Sequence, residues 1–219
     1  MTLLLEAWQY IVDHPARFGQ ALFTHVTLSL AALLTASLIA IPLGVWLADR
    51  DRGALLAINV ANIGRTLPSL AVLALVMPIM GTGFVPSWFA LTLLALPPIL
   101  INTYTAVREV DADAVDAARG MGMGPAQIIG RIKLPLALPV VFAGVRTAAV
   151  QVVSGAVLAA YIGGGGLGDF ITAGIAMMAV PQLLVGAIPA TLLSLGTDFL
   201  FGRIQRWLTP RGIETEAAT

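Results

Sequence analysis

The sequence predicts an all-α bundle that crosses a membrane about five times, with a stiff helical loop projecting from one side. Two observations lead there. Of 219 residues, 58% are hydrophobic and 11% charged, with mean hydropathy +0.90, whereas an ordinary soluble domain is about 45–50% apolar and about 25% charged. The apolar residues also fall in long blocks between short stretches rich in Gly, Pro or charge, as a hydrocarbon core of about 30 Å demands. Net charge is zero, which argues against a nucleic-acid partner. The absence of cysteine excludes disulfides, thiolate metal sites and Cys nucleophiles. His14 and His25 have no ligand cluster to join, so no metal site is expected.

Residues 1–20 lack the basic n-region of a signal peptide, and Glu6 and Asp13 interrupt their apolar residues. Leu4, Trp8, Ile11 and Val12 recur at helical spacing. Residues 2–12 therefore read as a short interfacial helix, broken at Asp13-His14-Pro15. The membrane domain is expected over residues 21–207. Its first span, 26–47, has roughly 22 residues, or about 33 Å of helix. Asp49-Arg50-Asp51-Arg52-Gly53 is a short charged loop. A second span covers 55–80, bent or interrupted near Arg65-Thr66-Leu67-Pro68-Ser69. After a turn over 81–87, the third span is 88–107, the fourth 138–162 and the fifth 183–201. A long loop, 108–135, separates the third from the fourth, and 208–219 form a tail.

Five spans put the termini on opposite sides. Arg50, Arg52, Arg108, Arg119, Arg131, Lys133, Arg203, Arg206 and Arg211 fall on one side, and only Arg17 on the other. By the positive-inside rule the long loop and C-terminus are cytoplasmic and the N-terminus is outside. Trp46, Trp88 and Trp207 lie near span ends, where interfacial aromatics belong.

The loop has the chemistry of a rigid docking element. Asp111 can cap a helix whose early turns hold Asp113 and Asp116. Ala112, Ala114, Ala117 and Ala118 favour helix and leave a narrow rod. Gly120, Gly122 and Gly124 end it, and Pro125 suits the first position of a second helix, 126–133, which Leu134-Pro135 closes at the membrane.

The string Asp116-Ala117-Ala118-Arg119-Gly120-Met121-Gly122, followed after nine residues by Ile132-Lys133-Leu134-Pro135, resembles the cytoplasmic coupling loop of ABC importer permeases. Asp116 stands where that family usually has Glu. The resemblance implies that Asp116, Ala117, Ala118, Gly120, Gly122, Ile132, Leu134 and Pro135 dock an ABC ATPase subunit. It further implies that ATP and Mg belong to that partner, that no cofactor is held in this chain, and that the chain is not itself an enzyme. Further strings narrow the likeness: Thr66-Leu67-Pro68-Ser69-Leu70-Ala71, Asn102-Thr103-Tyr104-Thr105, Ala143-Gly144-Val145-Arg146-Thr147-Ala148 and Ile162-Gly163-Gly164-Gly165-Gly166-Leu167-Gly168-Asp169. Over about 26–201 the chain is similar to permeases of osmoprotectant importers, which carry glycine betaine, choline, carnitine or proline betaine. Permeases for another small solute such as methionine are the nearest alternative. The expected partners are the ATPases, a second identical or related permease, an extracytoplasmic solute-binding protein and membrane lipid. The expected location is the cell membrane of a prokaryote.

Arg65 and Arg146 each lie about ten residues inside a span, too deep to face lipid cheaply. Either one lines a path, or one pairs across the bundle with Asp198, or both are structural. Tyr104, Tyr161 and Trp88 could offer aromatic faces to a quaternary ammonium group, although single aromatics near span ends are usually anchors. Pro68 and Ser69, at the interruption, complete the candidate path. Gly163-x-Gly165-x-x-Gly168 formally matches a dinucleotide fingerprint, but it follows a membrane span where that motif needs a strand. Gly165 and Gly168 read better as part of a flexible outer segment at a gate. No Walker sequence and no Ser–His or Ser–Lys arrangement is present, which argues against an ATPase or an intramembrane hydrolase. A passive channel would leave the stiff loop without a purpose.

Overall fold

The computed structural model describes residues 2–49, 54–66 and 68–208, and every regular element among them is helical. In chain order these are α1 (Thr2–Asp13), α2 (Pro15–Asp49), α3 (Ala54–Thr66), α4 (Ser69–Met80), α5 (Phe84–Arg108), α6 (Ala112–Gly120), α7 (Pro125–Ile128), α8 (Leu134–Gly155), α9 (Gly168–Ala176) and α10 (Val180–Leu208). A π turn, Ile129–Lys133, joins α7 to α8, and a 3-10 stretch, Ala156–Ile162, extends α8. Residues 50–53 of the charged loop and 209–219 of the expected tail lie outside the described residues, as does Leu67.

Among the described residues, four continuous stretches are long and apolar enough to cross a membrane: Pro15–Asp49, Phe84–Arg108, Pro125–Ile162 and Val180–Leu208. The expected second span exists as two pieces. α3 has 13 residues and α4 has 12, so each alone reaches only about 18–20 Å. Both pack on α5. The break falls where the sequence places it: Pro68 adopts an extended conformation (φ −60°, ψ 128°) and starts α4. A proline forces the residue before it away from helical angles and cannot donate to the turn behind it. At the N-terminus, α2 begins at Pro15, a favoured first helical residue. Residues 15–20 therefore belong to the same continuous helix as the first span.

α5 is the central post, packed on α2 and α8. Ala36, Ala90, Ala95 and Ala148 have no exposed surface, and Gly44 and Gly144 bring their helices close to α5. Helices in lipid gain from such van der Waals contact between small residues, because there is no water to expel. Pro97 and Pro98 lie inside α5 and are buried. α2 and α5 run in the same direction, with Gly44 beside Thr103 at one end and both His25 and Ser87 beside the glycines of 163–166 at the other. Below, these are the loop end, which carries α6 and α7, and the glycine end.

A Cβ on Gly144 would lie 2.7 Å from the Asn102 side chain and 2.9 Å from the Pro98 carbonyl oxygen. Gly144→Leu is therefore expected to separate α5 from α8, costing about 1–3 kcal/mol. A lowered melting temperature of the detergent-solubilised protein would register it, and an unchanged one would contradict this packing.

Candidate functional site

The loop between α5 and α8 is a compact hairpin. The Asp111 side chain accepts from the Asp113 N–H at 2.9 Å and caps α6. The helix closes on Gly122 (φ +81°), with Met123 N–H donating to the Ala118 carbonyl at 3.1 Å and Gly122 N–H to that of Arg119 at 2.9 Å. This paired closure uses a left-handed residue that glycine adopts without strain. The Gln127 side chain accepts from Gly124 N–H at 3.0 Å, and Pro125 opens α7. Val115, Ala118 and Ile128 form a small core, packed round by Val110, Met123 and Ile132.

That core divides the predicted docking residues. Asp116, Ala117, Gly120 and Gly122 are exposed, as is Pro135. Ile132 and Leu134 are half-buried, and Ala118 is 1% exposed. Ala118 therefore holds the hairpin together and offers a partner nothing to touch. Leu134-Pro135 also does not end the second helix. The chain runs on through the π turn into α8, which accommodates the N–H that Pro135 lacks by widening one turn. Asp116 is paired with Arg119 at 3.0 Å on the exposed face, a contact of little energetic weight. Met121, 71% exposed at the hairpin tip, joins these exposed residues although the motif resemblance does not single it out.

The candidate path residues do not form one cluster. Arg146 Nε donates to Asp198 Oδ1 at 2.8 Å and Nη2 to Oδ2 at 3.0 Å, a two-pronged pair joining α8 to α10. Nη1 reaches Gln205 Oε1 at 3.4 Å, and the guanidinium rests over Gly202, where a Cβ would meet it at 3.2 Å. Trp88 turns inward, donating from Nε1 to Thr35 Oγ1 at 3.2 Å. Tyr104 is half-buried against the core, and Tyr161 is 55% exposed at the glycine end. Pro68 and Ser69 sit at the α3–α4 break. Arg65 belongs to α3, with its side chain outside the described residues.

The glycine-rich segment is packed and not loose. It follows a 3-10 helix, not a strand. Gly163, Gly165 and Gly166 have positive φ (72°, 75° and 93°). A Cβ on Gly164 would strike Ser87 and Ala159, and one on Gly168 the Val157 carbonyl. Gly166 lies against His25, which is 1% exposed and donates from Nε2 to the Val153 carbonyl at 3.0 Å. The segment shows close approach at Gly164, Gly166 and Gly168, where neighbouring residues occupy the space of the missing side chains. Beside it, burial pushes the Asp169 carboxyl above the ordinary carboxylate range, and Arg17 draws it back only in part. A carboxyl raised in the folded state binds its proton more tightly there, so stability falls as pH rises from its unfolded value through its folded one. Asp169→Asn is expected to raise the melting temperature at neutral pH, with the gain vanishing in acid; the same gain at both pH values would contradict this.

Residues 40–213 match the family described as the inner membrane component of binding-protein-dependent transport systems. The chain belongs to this family of ABC importer permeases. It is 42% identical to the choline transport system permease protein OpuBB of Bacillus subtilis over 192 residues, 88% of each chain. It is 39% identical to the carnitine transport permease protein OpuCB of Listeria monocytogenes over 211 residues, 96% of this chain and 90% of that one. Among solved structures, it resembles a chain of the MetNI methionine ABC transporter with TM-score 0.80 at 20% identity, covering 90% of this chain and 99% of that one. That likeness bears on the fold alone. The permease is thus a multi-pass inner-membrane component and not a catalytic subunit.

Proposed function

We propose that this permease carries a small quaternary-ammonium osmoprotectant such as choline, glycine betaine or carnitine. Identity near 40% over almost the whole chain to permeases named for choline and carnitine carries the reading. The α6 hairpin is the contact for the ATPase subunits, through Asp116, Ala117, Gly120, Met121 and Gly122. Its closed core and paired termination make it stiff enough to pass on a push. The loop end is cytoplasmic and the N-terminus outside, on the distribution of arginines and lysine. Two permeases, identical or related, pair to complete a passage, because so few helices cannot enclose one while burying their own core. A solute-binding protein delivers at the glycine end. ATP binding on the partner favours one orientation of the pair and hydrolysis the other, by the differential contact each state makes with the hairpin.

The test is uptake by proteoliposomes holding the permease, the neighbouring ATPase and the solute-binding protein. ATP-dependent accumulation of radiolabelled choline or glycine betaine, with none of methionine, is the expected result. Methionine uptake without betaine or choline uptake would overturn the solute class.

A further inference from the structure

Two helices of this protein carry polar groups on surfaces that no other described residue covers. α10 has an apolar face of Ile188, Leu192, Leu195 and Phe199, which are 38%, 62%, 63% and 61% exposed. About 100° round the same helix runs a second stripe, Thr191, Ser194 and Asp198, at spacings of three and four. On α8 the outward face holds Thr147, Gln151 and Ser154, all exposed and again at helical spacing. The two stripes adjoin. Ser154 opens on the same cavity as Thr191 and Ser194, about 330 Å³. Towards the loop end, the Arg146–Asp198 pair lines another cavity of about 390 Å³, with its side chains 36% and 49% exposed.

The hydroxyls alone prove little. Those of Thr147, Ser154, Thr191 and Ser194 each donate to a carbonyl one turn back in their own helix, at 2.8–3.0 Å, which lets them tolerate lipid. Gln151 and the ion pair decide the matter. The side-chain amide of Gln151 has no hydrogen-bond partner among the described residues, although it offers donors and acceptors that hydrocarbon cannot meet. A half-exposed ion pair within a span belongs against protein or water, not lipid.

We infer that this α8–α10 flank is the water-facing wall of the solute passage, formed by Thr147, Gln151, Ser154, Thr191 and Ser194 and floored by the Arg146–Asp198 pair. The inference rests on the permease reading and places the passage away from Tyr104, Tyr161 and the glycine segment. A wall of hydroxyls and one amide solvates a small polar solute without the net charge that would trap it. The floor offers both signs of charge, so a zwitterion meets Arg146 with its carboxylate and Asp198 with its ammonium group.

The chain contains no cysteine, so a single-cysteine variant carries one reactive thiol in this chain, and the transporter with the native permease serves as the background control. Gln151→Cys, Thr191→Cys, Leu192→Cys and Leu195→Cys are made in the complete transporter in proteoliposomes and treated with a charged, water-soluble methanethiosulfonate. Thiols ionise and react where water reaches them. Gln151→Cys and Thr191→Cys are expected to react about tenfold faster than Leu192→Cys and Leu195→Cys. Equal, slow rates at all four positions would place the flank in lipid and overturn the wall. Slow labelling of Gln151→Cys with ready disulfide formation between two copies would make the flank a dry permease contact and overturn it equally. Labelling needs no transported solute. Fast labelling in a preparation that takes up methionine but not choline, betaine or carnitine would therefore uphold the wall while refuting the solute class.

Discussion

Ala118→Glu is expected to abolish co-purification of the ATPase subunit with this permease, and transport with it. The reason lies inside the hairpin. Ala118 is 1% exposed against Val115 and Ile128, and its carbonyl accepts the Met123 N–H that closes α6. A carboxylate there enters an apolar core, and a buried charge without a partner costs of the order of 3–5 kcal/mol. A hairpin built on three buried side chains cannot offset that and opens. Ala117→Glu is the comparison, since Ala117 is exposed on the same helix and its substitution leaves the core intact. Limited proteolysis of the loop separates the two variants. Ala118→Glu is expected to be cut rapidly and Ala117→Glu at the native rate. If Ala118→Glu is as resistant as the native protein, the small core does not hold the hairpin.

The second large effect concerns Arg146. Asp198→Leu removes the one carboxylate bound to its guanidinium among the described residues. An unpaired arginine at mid-span costs about 2.5–3.5 kcal/mol on insertion scales, reduced here because the side chain is partly exposed. The yield of folded permease is expected to fall severalfold. The double variant Arg146→Leu with Asp198→Leu removes both charges and is expected to recover the yield but not transport. Arg146→Gln should assemble normally, since an amide can still donate to Asp198, and transport poorly. Full transport by the double variant would reduce the pair to a fastener between α8 and α10.

Much of the fold is legible in the sequence because lipid imposes length and composition on a span. Even the interruption of the second span shows in Pro68. The start of α2 is less legible: Asp13-His14-Pro15 is a break, but Pro15 opens the long helix and does not precede a separate segment. In the hairpin, spacing identifies the motif but not which side of a nine-residue helix faces inward. Ala117 and Ala118 look alike in sequence, and only packing against Ile128 makes them opposites. The glycines at 163–168 show the same limit, since composition cannot tell a loose segment from one whose missing side chains are filled by Ser87, His25 and Val157. Gln151, Thr191 and Ser194 carry no motif. Their meaning depends on which helix faces remain uncovered, a property of the assembled bundle.

The unbroken run from Pro125 to Ile162 has a mechanical consequence. Its 38 residues make a rod of about 57 Å at 1.5 Å per residue. One end is clamped in the hairpin core and the other lies against the glycine segment. A rotation of about 5° about the clamped end sweeps the other by about 5 Å, roughly the pitch of one helical turn. Movements too small to disturb the hairpin's own packing are thus magnified by length alone, and Arg146, part-way along, travels less than the tip. The rod departs from α-helical pairing at the widened turn, 129–133, so stiffening or loosening that turn is expected to change the stroke.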